Sequence, residues 1–149
     1  MPFVIIGPSS PLSYRTAVRL LAENFANYTG FSPAPYEAEE ADYELSYARD
    51  RVLLFSRKID EQSIRCFGAA GIRRKKYDEI PTPGWFMTWA WFHPSEQRKG
   101  HLTKAWPHIL KLFPDIIPDP PLSDEMKSFL IKIGTKFPPG VAELLGVHP

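Results

Sequence analysis

Trp85-Phe86-Met87-Thr88-Trp89-Ala90-Trp91-Phe92-His93-Pro94-Ser95-Glu96-Gln97-Arg98-Lys99-Gly100-His101-Leu102-Thr103 is the stretch that decides the fold. Residues 85–92 are aromatic and apolar almost throughout, the composition of a β-strand. Strict alternation puts Trp85, Met87, Trp89 and Trp91 on one face and Phe86, Thr88, Ala90 and Phe92 on the other. Both faces are largely apolar, which predicts a central strand covered on both sides. Pro94 ends the strand. Leu102, Ala105, Trp106, Ile109 and Leu112 then recur as the stripe of a helix over about 100–112, and Pro107 inside it predicts a kink or a local break.

Toward the N-terminus, the apolar runs 52–55 and 64–72 flank the polar link Asp60-Glu61-Gln62-Ser63, the pattern of an antiparallel hairpin. Gly68 and Gly71 predict bulges or the close approach of another backbone. The run Arg73-Arg74-Lys75-Lys76 reads better as the solvated end of that strand than as a phosphate contact. Residues 3–6 suit a first strand. A helix follows, with Ser10 before Pro11 as its cap and Ser13 as the competing cap. Its face is Tyr14, Ala17, Val18, Leu21, Phe25 and Tyr28, and Gly30 is a natural stop. A second helix is expected over about 37–49, with Glu37, Glu39 and Glu40 in the first turn, where the helix dipole favours negative charge.

Toward the C-terminus, Ile116-Ile117 suits a short strand. Ser123 caps a helix that buries Phe129, Leu130 and Ile133 and stops at Gly134. Residues 141–145 suit a helical turn or a short strand. This order is an α/β arrangement with a mixed sheet, and a chain of 149 residues, 44% hydrophobic, fits one domain over 1–149.

A formal net charge of +1 gives no global attraction for nucleic acid or an anionic membrane. No stretch approaches the ~20 apolar residues of a membrane span, and residues 1–7 lack the plan of a secretory leader, so a cytoplasmic location is expected. Cys66 is the only cysteine, which excludes an intrachain disulfide. Its apolar neighbours favour a core residue over a nucleophile. His101 and His108 are seven apart, too far for a paired metal ligand on one helix, and no metal is expected. Ser123 and Ser128 lack a His–Asp pattern.

The chemistry lies where strand meets helix. A helix start offers backbone N–H groups without intrahelical partners and a positive dipole end. Gly100 lets an anion approach the backbone, and Arg98 and Lys99 add charge, so the junction suits a pyrophosphate; the same residues also suit a basic surface loop.

The spacing resembles the GNAT family of N-acetyltransferases. Phe92-His93-Pro94 matches the family's strand end, and Gln97-Arg98-Lys99-Gly100-His101 matches its Gln/Arg-x-x-Gly-x-Gly/Ala loop. The hairpin with Gly68 and Gly71 also looks like the family, and Lys132-Ile133-Gly134 is similar to part of its Tyr-x-Lys-x-Gly-Phe. The resemblance implies a mixed, mostly antiparallel central sheet flanked by helices, with a V-shaped splay between the strands around Phe92 and Ile116. It implies acetyl-CoA as cosubstrate and an amine as acceptor. The cofactor-binding residues would be Trp91, Phe92, His93, Gln97, Arg98, Lys99, Gly100, His101, Leu102 and Thr103. Pantetheine would pair with backbone around Trp91 to His93, the N–H groups from Arg98 to Thr103 would hold the pyrophosphate, and a backbone N–H near Phe92 would receive the oxyanion. The acceptor pocket would come from loops about 29–37 and 77–84.

The chain departs from the family at two positions: Leu102 stands where it usually has Gly or Ala, and Leu130 where it has the tyrosine that protonates the leaving thiolate. The central strand carries no Asp or Glu; a water chain to Glu79, an acceptor that loses its proton unaided and proton transfer by His93 all stay open, and no catalytic residue is assigned. The alternative is a catalytically inactive GNAT-fold module that binds CoA or another protein. An unfinished sheet edge invites pairing into a homodimer.

Overall fold

A computed structural model describes residues 1–7, 9–29, 50–75, 84–120, 122–135, 137 and 139–146. The expected helix over 37–49, Glu79, Lys76 and, but for their end residues, the loops about 29–37 and 77–84 lie outside them. The elements are β1 (Val4–Ile6), α1 (Leu12–Thr29), β2 (Asp50–Lys58), β3 (Ile64–Lys75), β4 (Gly84–Phe92), a 3-10 turn (Pro94–Glu96), α2 (His101–Leu112), β5 (Ile117–Pro118), α3 (Asp124–Ile133) and α4 (Pro139–Leu145). The strands form one sheet in the order β1-β2-β3-β4-β5, antiparallel except for the parallel pair β4–β5.

Alternation along the strands builds a core on each face of this sheet. Val52 and Leu54 pack with Val18, Leu21 and Ala22 of α1, whereas Leu53 and Phe55 pack with Ala105, Trp106 and Ile109 of α2 and Leu130 of α3. On β4 the expected division of faces fails. The register with β3 steps from Gly71↔Trp89 to Ile72↔Met87, so Thr88 is an extra residue in a bulge. One extra residue reverses every side chain beyond it. Trp85 and Met87 therefore share the α2 face with Ala90 and Phe92, while Trp89 and Trp91 turn to α1.

Gly71 of β3 lies beside this irregularity, and Gly68 lies three residues before it. A Cβ at Gly71 would lie 2.1 Å from Trp89 Nε1, and one at Gly68 would lie 2.3 Å from Phe92 Cδ1. The close approach expected at these positions is thus made by aromatic rings and not by backbone. Phe67, between Cys66 and Gly68, is itself the extra residue of a bulge against β2. Arg73 and Arg74 pair with Phe86 and Trp85, and the Arg74 guanidinium lies 5.8 Å from the Trp85 ring centre, as suits the solvated end of a strand.

Helix ends follow local chemistry. Ser123 Oγ accepts from the Met126 N–H at 3.1 Å, and Gly134 closes α3 in the left-handed region at φ 69°. Ser10 does not cap α1: its hydroxyl accepts from the Gly7 N–H at 2.9 Å, and the Pro11 carbonyl receives the N–H groups of Tyr14 and Arg15. α2 runs unbroken through Pro107. Thr103, whose carbonyl loses its partner there, is exposed to solvent. Residues 139–145 are helical, with Pro139 at the first position, and Val141 and Leu145 bury Phe86 and Ile117. Trp106 Nε1 donates to Thr135 Oγ1 at 3.1 Å and ties α2 to the end of α3.

Candidate active site

β5 covers little of β4. The two pair only at Phe86↔Ile117 and Met87↔Pro118, and the Asp119 N–H then donates to the Met87 carbonyl at 2.8 Å. From Thr88 to Phe92 the strand runs on without a β5 partner, which is the splay expected between these strands. The His93 N–H donates to Phe67 on β3 at 2.8 Å. Backbone groups alternate in direction along a strand, so the Phe92 N–H faces the opposite edge, the one β5 leaves open.

After Phe92 the chain turns sharply. The Glu96 N–H donates to the His93 carbonyl at 2.7 Å, and Gln97 Nε2 donates to the Phe92 carbonyl at 2.9 Å. Arg98 at φ 62° and Gly100 at φ 78° are both left-handed, a conformation that costs a non-glycine residue about 1–2 kcal/mol. Gly100 is the N-cap of α2, makes no side-chain cap hydrogen bond, and faces open space. The first N–H groups of α2 have no intrahelical acceptors, and a positive helix end with room before it suits an anion.

The ten residues expected to hold a cofactor are gathered at this junction, but their side chains differ in what they touch. Arg98 and Thr103 are exposed. Gln97 is engaged with Phe92 O and Lys99 Nζ with Glu96 Oε2 at 3.1 Å. Leu102 packs against the core on the α2 face, so its bulk points away from the loop. Trp91 lies against the α1 face, and the Phe92 ring stacks on His101, centres 5.6 Å apart at 20°. His93 is exposed; its Nδ1 lies 2.7 Å from Ser95 Oγ and 3.2 Å from the Ser95 backbone nitrogen. Leu130, where the family's tyrosine would stand, is 1% exposed in the core.

Sequence reading missed Glu96. Its side chain is buried, with Oε1 on Arg57 Nη1 and Oε2 within 3.1 Å of Lys99 Nζ and 3.4 Å of His101 Nε2. Burial pushes the carboxyl pKa up, but the hydrogen bonds from Lys99, Arg57 and His101 outweigh it and bring it from its ordinary 4.5 down to about 2. The spacing of Glu96 and Lys99 is a weak signal in the sequence; Arg57 arrives from β2 and has none. Cys66 is partly buried, and burial pushes its thiol pKa up, the opposite of activation.

On the α1 side, Asn24, Asn27, Trp91, His93 and Pro94 line an open cleft of about 350 Å³. Among the described residues, no group of three or more His, Cys, Asp and Glu side chains is placed to hold a metal ion. Nor is any helix long and apolar enough to cross a membrane.

No protein-family model and no curated protein matches the sequence. Solved structures do match. Aminoglycoside N-acetyltransferase AAC(6')-Iy in complex with CoA is similar at 10% identity and a TM-score of 0.57, over 91% of each chain. An aminoglycoside acetyltransferase from an uncultured soil metagenomic sample is similar at 15% identity and a TM-score of 0.58, again over 91% of each chain. A ribosomal-protein-alanine N-acetyltransferase from Brucella melitensis biovar Abortus 2308 gives 10% identity and a TM-score of 0.54, over 92% of this chain and 94% of that one. The chain has the fold of the GNAT acetyltransferases, at 10–15% sequence identity to these three.

Proposed function

We propose that this chain is an acetyl-CoA-dependent N-acetyltransferase that passes the acetyl group directly to an amine. The observation that carries the reading is the continuity of two features: the β4 edge left open beyond Met87, and the uncapped start of α2 at Gly100. An extended pantetheine arm can pair with that edge while the pyrophosphate sits on the N–H groups of residues 98–103. The CoA bound to one of the fold relatives supports this.

The amine nitrogen attacks the thioester carbon, a C–N bond forms, the C–S bond breaks, and the sulfur leaves as a thiolate while the nitrogen loses a proton. The Phe92 N–H faces the open edge, where it can donate to the oxyanion of the tetrahedral intermediate. The cleft at Asn24, Asn27, Trp91 and His93 is the place for the acceptor, its carboxamides offering hydrogen bonds and its indole an apolar wall. Two fold relatives are aminoglycoside acetyltransferases, which makes polyamines and amino sugars the first acceptors to try.

Leu130 favours one second reading, a GNAT-fold module that binds CoA without transfer, because a core leucine supplies no proton to a thiolate.

Titration calorimetry with acetyl-CoA tests the site, using Gly100→Trp and Gly100→Ala side by side. Both carry the strain of a side chain at positive φ, but only tryptophan fills the space before α2. Micromolar binding retained by the alanine variant and lost by the tryptophan variant is expected. CoA release with an amine panel then separates transfer from binding alone, and no binding by the folded wild type overturns the acetyl-CoA reading.

A further inference from the structure

Glu96 is buried, yet it takes no part in the transfer outlined above. Its three partners come from different places: Arg57 from the end of β2, Lys99 from the loop, and His101 from the first turn of α2. The surroundings fix them further. The Arg57 guanidinium lies over the Phe67 ring, 4.5 Å from its centre, and the His101 ring lies 4.7 Å from Phe67 and 5.6 Å from Phe92. The carboxylate thus closes a ring of contacts through β2, β3, β4 and α2.

We propose that Glu96 is the positioning residue of the loop before α2: by drawing Lys99 and His101 onto one carboxylate anchored through Arg57, it holds the N–H groups of residues 99–103 where a pyrophosphate binds. This rests on the acetyl-CoA reading. Lys99 and His101 flank Gly100, and both are tied to the same carboxylate oxygen, Glu96 Oε2, so the chain between them has little freedom. Arg98, just before them, is held at a positive φ that an unconstrained arginine avoids. Such geometry persists only where neighbouring contacts over-determine it, and Glu96 supplies those contacts.

The role has a sign that simple electrostatics reverses. Glu96 is a negative charge beside a proposed anion site, so by Coulomb's law its removal tightens binding of a polyanion. If Glu96 acts by positioning, its removal weakens binding, because a loop displaced by an ångström loses its aligned donors.

The test is calorimetric affinity for CoA in the wild type, Glu96→Gln, Arg57→Gln and the double variant, with fold checked by circular dichroism. Glu96→Gln is expected to bind CoA about tenfold more weakly than the wild type while still folded, with changes in amide NMR shifts centred on residues 97–103. Arg57→Gln is expected to weaken binding in the same direction, and the double variant to be no worse than Glu96→Gln, since both break one connection. Unchanged or tighter binding by folded Glu96→Gln overturns the role while leaving the acetyl-CoA reading intact; failure of the wild type to bind overturns both. If Glu96→Gln does not fold, Arg57→Gln, altered at a half-exposed side chain, carries the test alone: unchanged affinity there refutes the positioning role.

Discussion

Glu96 has a consequence for stability that does not depend on any ligand. Its carboxyl is held at about 2 in the folded chain against an ordinary 4.5, because Lys99, Arg57 and His101 favour the ionised form. A depressed folded pKa means that the unfolded chain takes up the proton first as acid is added. The stabilisation is therefore complete above 4.5 and is lost as pH falls from there toward 2. Urea unfolding at stepped pH should show wild-type stability falling through this window, and Glu96→Gln should show a shallower fall. Gly71 carries a second expectation at this scale. Its missing side chain makes room for the Trp89 indole, which is 4% exposed. Gly71→Ala should lower unfolding free energy by about 1–3 kcal/mol, read from the urea midpoint. That Gly68 and Gly71 had a steric duty was legible from their place in an apolar strand. Which atoms they admit was not, because Phe92 and Trp89 reach them only through pairing with the next strand.

Among the elements, those governed by near neighbours in sequence were the most legible. The cap at Ser123, the stop at Gly134 and the hairpin of β2 and β3 all involve residues within a few positions of one another or a simple alternation. Ser123→Ala should cost about 1 kcal/mol by freeing the Met126 N–H at the start of α3, measured as a shift of the thermal midpoint. The faces of β4 were misread for an equally physical reason. Nothing in Met87-Thr88-Trp89 announces a bulge, since the extra residue exists only relative to the register of β3. That bulge sends Trp89 and Trp91 toward α1 and leaves Ala90 and Phe92 facing α2. It therefore determines which tryptophan lines the cleft beside Asn24 and Asn27 and which phenylalanine stacks on His101.

The whole molecule is organised by a sheet whose strands serve two cores at once. β2, β3 and β4 each send residues to the α1 face and to the α2 face, so neither layer can separate without stripping the other. Unfolding in urea should accordingly be a single transition. Tryptophan fluorescence, drawn from Trp89 and Trp91 on one face and Trp85 and Trp106 on the other, should coincide with far-UV circular dichroism; separated midpoints would show that the faces melt apart. By itself the sequence determined the order of the described elements from β2 to α3, the sheet's mixed character, and the strand–loop–helix junction at 85–103, because periodicity, caps and motif spacing are local properties. Tertiary structure alone decided the register of β4, the extent of β5 and the assembly around Glu96. Each of these depends on contacts between residues distant along the chain, such as Arg57 with Glu96 or Gly71 with Trp89, and such contacts exist only after the sheet has formed.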